Sequence, residues 1–387
     1  MTRRLVTLGE VCSQDRTSVR PGHADELAYL GLEGIESGTG RFLDGELSKT
    51  PEVPQANSFR FDERHVLYGK LRPYLNKVAV PTAPGKCSTE IIPLLPSAQL
   101  DRRYLSYFLR APATVKKVAE RSSGARMPRA DMDFVLSLPI GLPAMEEQRR
   151  IVDLLARAEG IVRLRREARR KAAELIPAIF LDMFGDPVTD PDAWPRAPLS
   201  AVAEVISGVA KGRRLAADEA VELPYMRVAN VKDGYLDLAD VKTIEIKRSE
   251  VEKLLIRPGD LLMTEGGDPD KLGRAALWAG EIEACVHQNH VFKVRSDCAR
   301  LSPVYLRALA GSAYGKAYFL SVAKKTTGIA SINKTQLSAF PVPLPPMPLQ
   351  HAFEQRVQSA ESILIQQAQA LAKATAAFDA LLARAFR

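Results

Sequence analysis

The sequence predicts an α+β protein built twice over. Two globular units of short mixed strands are separated by two long helices, and the helices are suited to pair as an antiparallel coiled coil. Three observations carry this. A ten-residue phrase recurs: Leu142, Pro143, Met145, Gln148 and Ile151 return at constant offset as Leu344, Pro345, Met347, Gln350 and Phe353. Each copy follows a stretch rich in short β-type runs and turn residues. Each copy also opens a long helical pattern, so the repeating unit is one globular domain plus one helix. The boundaries are 1–141, 142–187, 188–343 and 344–387.

The first globular stretch has β-type runs at 27–32, 65–68, 77–80 and 90–95, parted by Gly, Pro and Ser clusters. A helix is expected over 101–119, where Tyr104, Leu105, Phe108, Leu109, Val115 and Val118 follow a partial 3.6-residue period. The first long helix starts after Pro143, a favourable first-turn residue. Glu146 and Glu147 lie where the helix dipole favours anions. Ile151, Leu155, Ala158 and Val162 form a four–three seam. A basic tract follows (Arg163, Arg165, Arg166, Arg169, Arg170 and Lys171), a kink is expected at Pro177, and the helix ends at Phe184-Gly185-Asp186-Pro187.

The second globular stretch repeats the plan of the first. Residues 223–228 answer 27–32, 288–292 answer 88–92, Tyr305 answers Tyr104, and Gly328 answers Gly124. In the final helix Phe353, Val357, Ala360, Leu364, Gln367, Leu371, Ala374, Phe378, Leu381 and Ala385 keep four–three spacing, with Gln367 as the one polar knob. The alternative use of either helix is dimerisation.

The chain has 387 residues and a net charge of +8, which suits a polyanionic partner. Four scattered cysteines, Cys12, Cys87, Cys285 and Cys298, fit a reducing compartment better than a disulfide framework. The N-terminal residues show no signal-peptide pattern and no run is long enough to span a bilayer, so a cytoplasmic protein without a membrane partner is expected.

Basic and polar side chains gather in the loops. In the first unit these are Lys70, Arg72, Tyr74 and Lys77, then Arg126 and Arg129. In the second they are Lys211, Arg213 and Arg214; Lys271 and Arg274; Gln288, Asn289 and His290; and Lys324, Lys325 and Thr327. Arg and Lys suit phosphates and guanine edges, Gln and Asn suit adenine, and Tyr suits a base or sugar. Singly, each also fits a solvated surface; together they favour nucleic acid.

Catalytic equipment is not evident. Residues 311–317 resemble a phosphate-binding loop but are one residue short and end in Ala. Glu245-Ile246-Lys247 has the spacing of a nuclease tripeptide without the preceding Pro-Asp. His287 and His290 lack a third ligand, and no metal is expected. A Mg²⁺-dependent nuclease and a coiled-coil adaptor that binds no nucleic acid remain the alternatives.

Taken together, the duplicated plan, L-P-x-M-E-E-Q-R-R-I-V at 142–152, F-G-D-P at 184–187, P-L-Q-H-A-F at 348–353, S-G-A-R at 123–126 and T-G-I-A-S-I-N-K at 327–334 resemble the specificity subunits of type I restriction-modification enzymes. The arginine-dense middle of the first helix departs from that pattern. The resemblance implies two target recognition domains, each reading one half of a split double-stranded DNA sequence. It also implies helices that set the spacing and dock two methyltransferase subunits, with translocase/nuclease subunits joining for restriction. The chain itself would be non-catalytic and without a cofactor; S-adenosylmethionine, ATP and Mg²⁺ would belong to the partners.

Overall fold

The computed structural model describes residues 4–20, 27–43, 57–212, 215–216, 218–268, 272–326 and 328–387. They fall into two compact units. Met1–Glu167 with Gln369–Arg387 form the first, and Ala168–Ala368 the second.

The first unit is organised around an antiparallel sheet in the order Cys12–Gln14, Ile91–Pro96, Val66–Gly69, Val78–Ala79. Its central strand is apolar throughout because both faces are covered. Successive side chains of a strand point to opposite faces. Accordingly Val66 and Tyr68 enter one core with Ile92 and Leu94, while Leu67 enters another with Ile91, Phe61 and Cys87. The first core is closed by the helix Arg102–Arg110, by Ile151, Val152 and Leu155 of the first long helix, and by Leu382 and Ala385 near the C-terminus. The Phe386 ring packs 4.9 Å from that of Tyr104 and 5.7 Å from that of Phe108.

The second unit repeats this plan. Its sheet runs Ala203–Ser207, Val291–Ser296, Leu261–Thr264, Ala275–Leu277. Leu261 and Met263 enter one core and Leu262 the other. The smaller sheets match in one parallel contact: Tyr29 and Leu30 pair with Lys86 and Cys87, and Tyr225 and Met226 with Val286 and His287. Each unit is also closed by an antiparallel pair, Arg4–Thr7 with Pro139–Leu142 and Arg196–Pro198 with Pro341–Pro343. Phe180, Phe184, Tyr305 and Phe353 form an aromatic cluster in the second unit.

The expected mixture of short strands and helices is present, and two helices are long. The C-terminal helix, Met347–Ala385, runs for 39 residues. Along its four–three seam Phe353, Val357, Ala360 and Ala385 are buried, and Leu364, Gln367, Leu371, Ala374, Phe378 and Leu381 are half-buried. The first long helix differs from expectation in one respect. It runs Met145–Ala173, and a second segment, Leu175–Phe184, restarts after a break at Glu174. Pro177 is responsible although the break precedes it: a proline ring strikes the carbonyl four residues back, here that of Ala173. Likewise the helix expected over 101–119 is two, Arg102–Arg110 and Pro112–Glu120. Pro112 forces Ala111 into an extended conformation (φ −61°, ψ 134°) and starts a new helix at its own position.

Candidate nucleic-acid interface

In the first unit the strand Val66–Gly69 ends against two loops that are laced together. Lys70 N–H donates to the Glu90 carbonyl (2.9 Å), and Ala130 N–H donates to the Lys70 carbonyl (2.8 Å). Arg72 N–H donates to the Pro128 carbonyl (2.6 Å), and Arg129 and Ser123 exchange two backbone bonds of 2.8 and 3.1 Å. Arg72 and Asn76 both adopt left-handed backbone (φ 50° and 51°), an uncommon conformation for non-glycine residues that turns the loop sharply around Pro73–Leu75.

This lacing gathers Lys70, Arg72, Tyr74, Arg126 and Arg129 onto adjoining loops. Arg72, Tyr74, Arg126 and Arg129 are exposed and Lys70 is half-buried. The Arg129 guanidinium lies against the Glu90 carboxylate through Nε (3.1 Å to each oxygen) and Nη2 (2.9 Å). That hydrogen bonding raises the pKa of Arg129 above its ordinary value. Lys77 is engaged elsewhere: it is half-buried and its Nζ donates to the Leu32 carbonyl at 2.6 Å.

The second unit laces the corresponding segments by the same bonds. Glu265 N–H donates to the His290 carbonyl (3.0 Å), and Ile332 N–H to the Glu265 carbonyl (2.8 Å). Ser331 is bridged on one side by Gly266 and on the other by Lys324. The loop here is a hairpin, Lys324–Thr326 with Ile329–Ser331. Glycine at 266 permits its approach, because a Cβ there would lie 2.8 Å from the Ala330 carbonyl oxygen.

Lys324 and Lys325 stand exposed on the hairpin, near the exposed His290, whose Nδ1 bonds to Glu265. Gln288 and Asn289 are half-buried, and the Asn289 N–H donates to the Val209 carbonyl (2.9 Å). That bond brings in the segment bearing Lys211, whose Nζ sits 5.4 Å from the centre of the Tyr225 ring. Arg274 is half-buried, with its carbonyl accepting from Thr264 N–H. Arg213, Arg214, Lys271 and Thr327 lie outside the described residues.

Sequence reasoning missed Glu90, Glu265 and Ser331. Only their positions relative to the duplicated strands could have pointed to them.

The other motifs are absorbed by structure. His287 is buried, with Nδ1 bonded to the Val291 carbonyl at 2.6 Å, and burial pulls its imidazole pKa down to about 4. Lys247 pairs with Glu219 at 3.2 Å, and Glu245 lies opposite Glu222 on the neighbouring strand. Ser312 and Ala313 of the 311–317 motif open an ordinary helix, capped by the Ser312 side chain on Gly315 N–H. Among the described residues no helix is long and apolar enough to cross a membrane.

The chain is thus a duplicated α+β scaffold, with matching backbone frames and different side chains on them. The type I restriction modification DNA specificity domain matches residues 43–174. The StySPI specificity subunit of Salmonella potsdam is 23% identical over 313 residues, covering 76% of this chain and 66% of that protein. The putative MjaX specificity subunit of Methanocaldococcus jannaschii is 27% identical over 160 residues, covering 41% of this chain and 37% of that protein. The chain thus matches between about a third and two thirds of the length of these relatives.

Two solved structures share the fold over the whole chain. One, from a study of assembly and conformational transition of the type I restriction-modification system, has a TM-score of 0.64, 21% identity and coverage of 100% and 98%. The other, an S subunit from M. genitalium, has a TM-score of 0.53, 13% identity and coverage of 100% and 99%. Over the stretches matched in sequence the chain is similar to the specificity subunits of type I restriction-modification enzymes.

Proposed function

We propose that this chain is the DNA-reading subunit of a type I restriction-modification enzyme. Residues 1–141 and 188–343 act as target recognition domains, each reading one half of a bipartite double-stranded target. Residues 142–187 and 344–387 form the spacer, an antiparallel coiled coil that fixes the interval between half-sites. The spacer also docks two methyltransferase subunits, which restriction/translocase subunits join. The chain catalyses nothing itself and works in the cytoplasm; S-adenosylmethionine, ATP and Mg²⁺ act on the partners.

The observation that carries this reading is the duplicated loop frame, which bears Lys70, Glu90 and Arg129 in one unit and Glu265, His290 and Ser331 in the other. A common backbone with changed side chains is what two heads need to read two different sequences. The four–three seam of the C-terminal helix supports the spacer role.

Mapping modified bases in the genome of a strain with and without the gene tests it. Methylation at one bipartite motif should vanish on deletion. An unchanged methylation pattern would refute the proposal.

A further inference from the structure

The two loop frames correspond leg by leg. The residue after the central strand, 70 or 265, donates to the carbonyl of 90 or 290 and accepts from the N–H of 130 or 332. The residue at 129 or 331 is bridged from both sides. Each frame holds a carboxylate gripping a basic side chain, but on different legs: Glu90 with Arg129 in the first unit, Glu265 with His290 in the second.

In the first unit this grip selects a particular edge of the guanidinium. Glu90 occupies Nε and one hydrogen of Nη2. Nη1 and the outer hydrogen of Nη2 then form two parallel donors directed away from the carboxylate. Such a pair matches O6 and N7 of guanine in the major groove, or two oxygens of a phosphate. Glu90 decides between them. A carboxylate within hydrogen-bond reach repels a phosphate, whereas a neutral base edge carries no net charge for it to oppose. The root of Arg129 is fixed by its paired bonds with Ser123, and Glu90 is tied through its carbonyl to Lys70, so little freedom is left to lose on binding.

The geometry points to Arg129 as a guanine-reading residue of the half-site served by the first unit, with Glu90 as the positioning residue that aims it. This rests on the function proposed above. In the second unit Ser331 stands where Arg129 does, and the basic group is the single imidazole of His290, so that unit presents no fork at this leg.

Selection of bound sequences from a randomised duplex pool tests the inference. The proteins are the full chain and its Arg129→Ala, Arg129→Lys, Glu90→Gln and Glu90→Asp variants, each assembled with the methyltransferase subunits. Wild type should require guanine at one pair of one half-site. Arg129→Ala and Arg129→Lys should lower that preference by roughly tenfold or more. Glu90→Gln should weaken it at the same pair and Glu90→Asp restore part of it. The other half-site, unchanged in every variant, reports intact folding.

A uniform loss of affinity across sequences with a shallower salt dependence would make Arg129 a phosphate contact and overturn the inference. An unchanged preference at every pair would overturn it too. A wild-type complex that selects no sequence at all would instead overturn the function beneath it.

Discussion

Gln148 and Gln350 make the same three hydrogen bonds, each inside its own unit. Gln148 accepts from Asp101 N–H (2.8 Å) and donates to the carbonyls of Gln99 (2.8 Å) and Pro143 (2.9 Å). Gln350 accepts from Ser302 N–H (2.8 Å) and donates to the carbonyls of Arg300 (3.2 Å) and Pro345 (2.8 Å). Both are fully buried. The amide thus ties the start of each long helix to the capping residue of the helix beside the sheet. Replacing Gln148 by Ala removes the partner of one part-buried donor and two part-buried acceptors. We expect a loss of about 2–4 kcal/mol, read by urea denaturation. Gln148→Glu should do at least as much damage, because an ionised carboxylate cannot donate to either carbonyl. A loss below about 0.5 kcal/mol for both variants would show the clamp to be incidental.

That clamp marks how far the sequence was legible. The recurring phrase exposed the duplication, and Gln148 was visible as one of its fixed positions. Its role was not, because its partners lie 47 and 49 residues back in the chain. The seam of the C-terminal helix was readable since it depends only on local period. The break at Glu174 was misplaced onto Pro177, since a proline acts on the carbonyl four residues before it. Among the basic loop residues, composition could not separate Lys77, spent on the Leu32 carbonyl, from the exposed Arg72. Nor could it reveal that Glu90 meets Arg129 across 39 residues. Side-chain partners brought together by a sheet are a property of topology, which a linear reading does not contain.

His287 makes the second unit sensitive to acid. Its imidazole is held at about 4 against an ordinary 6.5 by burial. The unfolded chain therefore takes up a proton as pH falls through 6.5, while the folded chain resists until about 4. The stability due to the neutral imidazole is complete above 6.5, declines between 6.5 and 4, and levels off below, a change of about 3 kcal/mol. Cys87 occupies the corresponding place in the first unit and donates from Sγ to Ile91 in the same manner (3.6 Å). His287→Cys should therefore fold and flatten the pH dependence of the melting temperature over this interval. An unaltered slope in the variant would contradict the assignment.

Gly266 should matter to only one half-site. A methyl group there meets the Ala330 carbonyl at 2.8 Å, so Gly266→Ala must push the hairpin Lys324–Thr326/Ile329–Ser331 off the strand end. A cost of about 1–3 kcal/mol is expected from overpacking. Base preference should degrade in the half-site read by the second unit and stay intact in the other. Equal degradation of both would argue against independent heads.

The proposed spacer makes a geometric prediction. Inserting one heptad into Met145–Ala173 and one into Met347–Ala385, each in phase with its seam, lengthens each helix by about 10 Å. At 3.4 Å per base pair the unread gap should grow by about three pairs while both half-sites keep their sequences. An unchanged gap would remove the helices from the role of ruler.

The most direct test of the whole account is the target itself. Sequences recovered from a randomised duplex pool by the full chain, assembled with methyltransferase subunits, should converge on a single motif. That motif should consist of two unlike half-sites parted by an unread gap of one fixed length. A single uninterrupted motif, or two half-sites at variable separation, would contradict the claim that two dissimilar reading heads are held at a set interval.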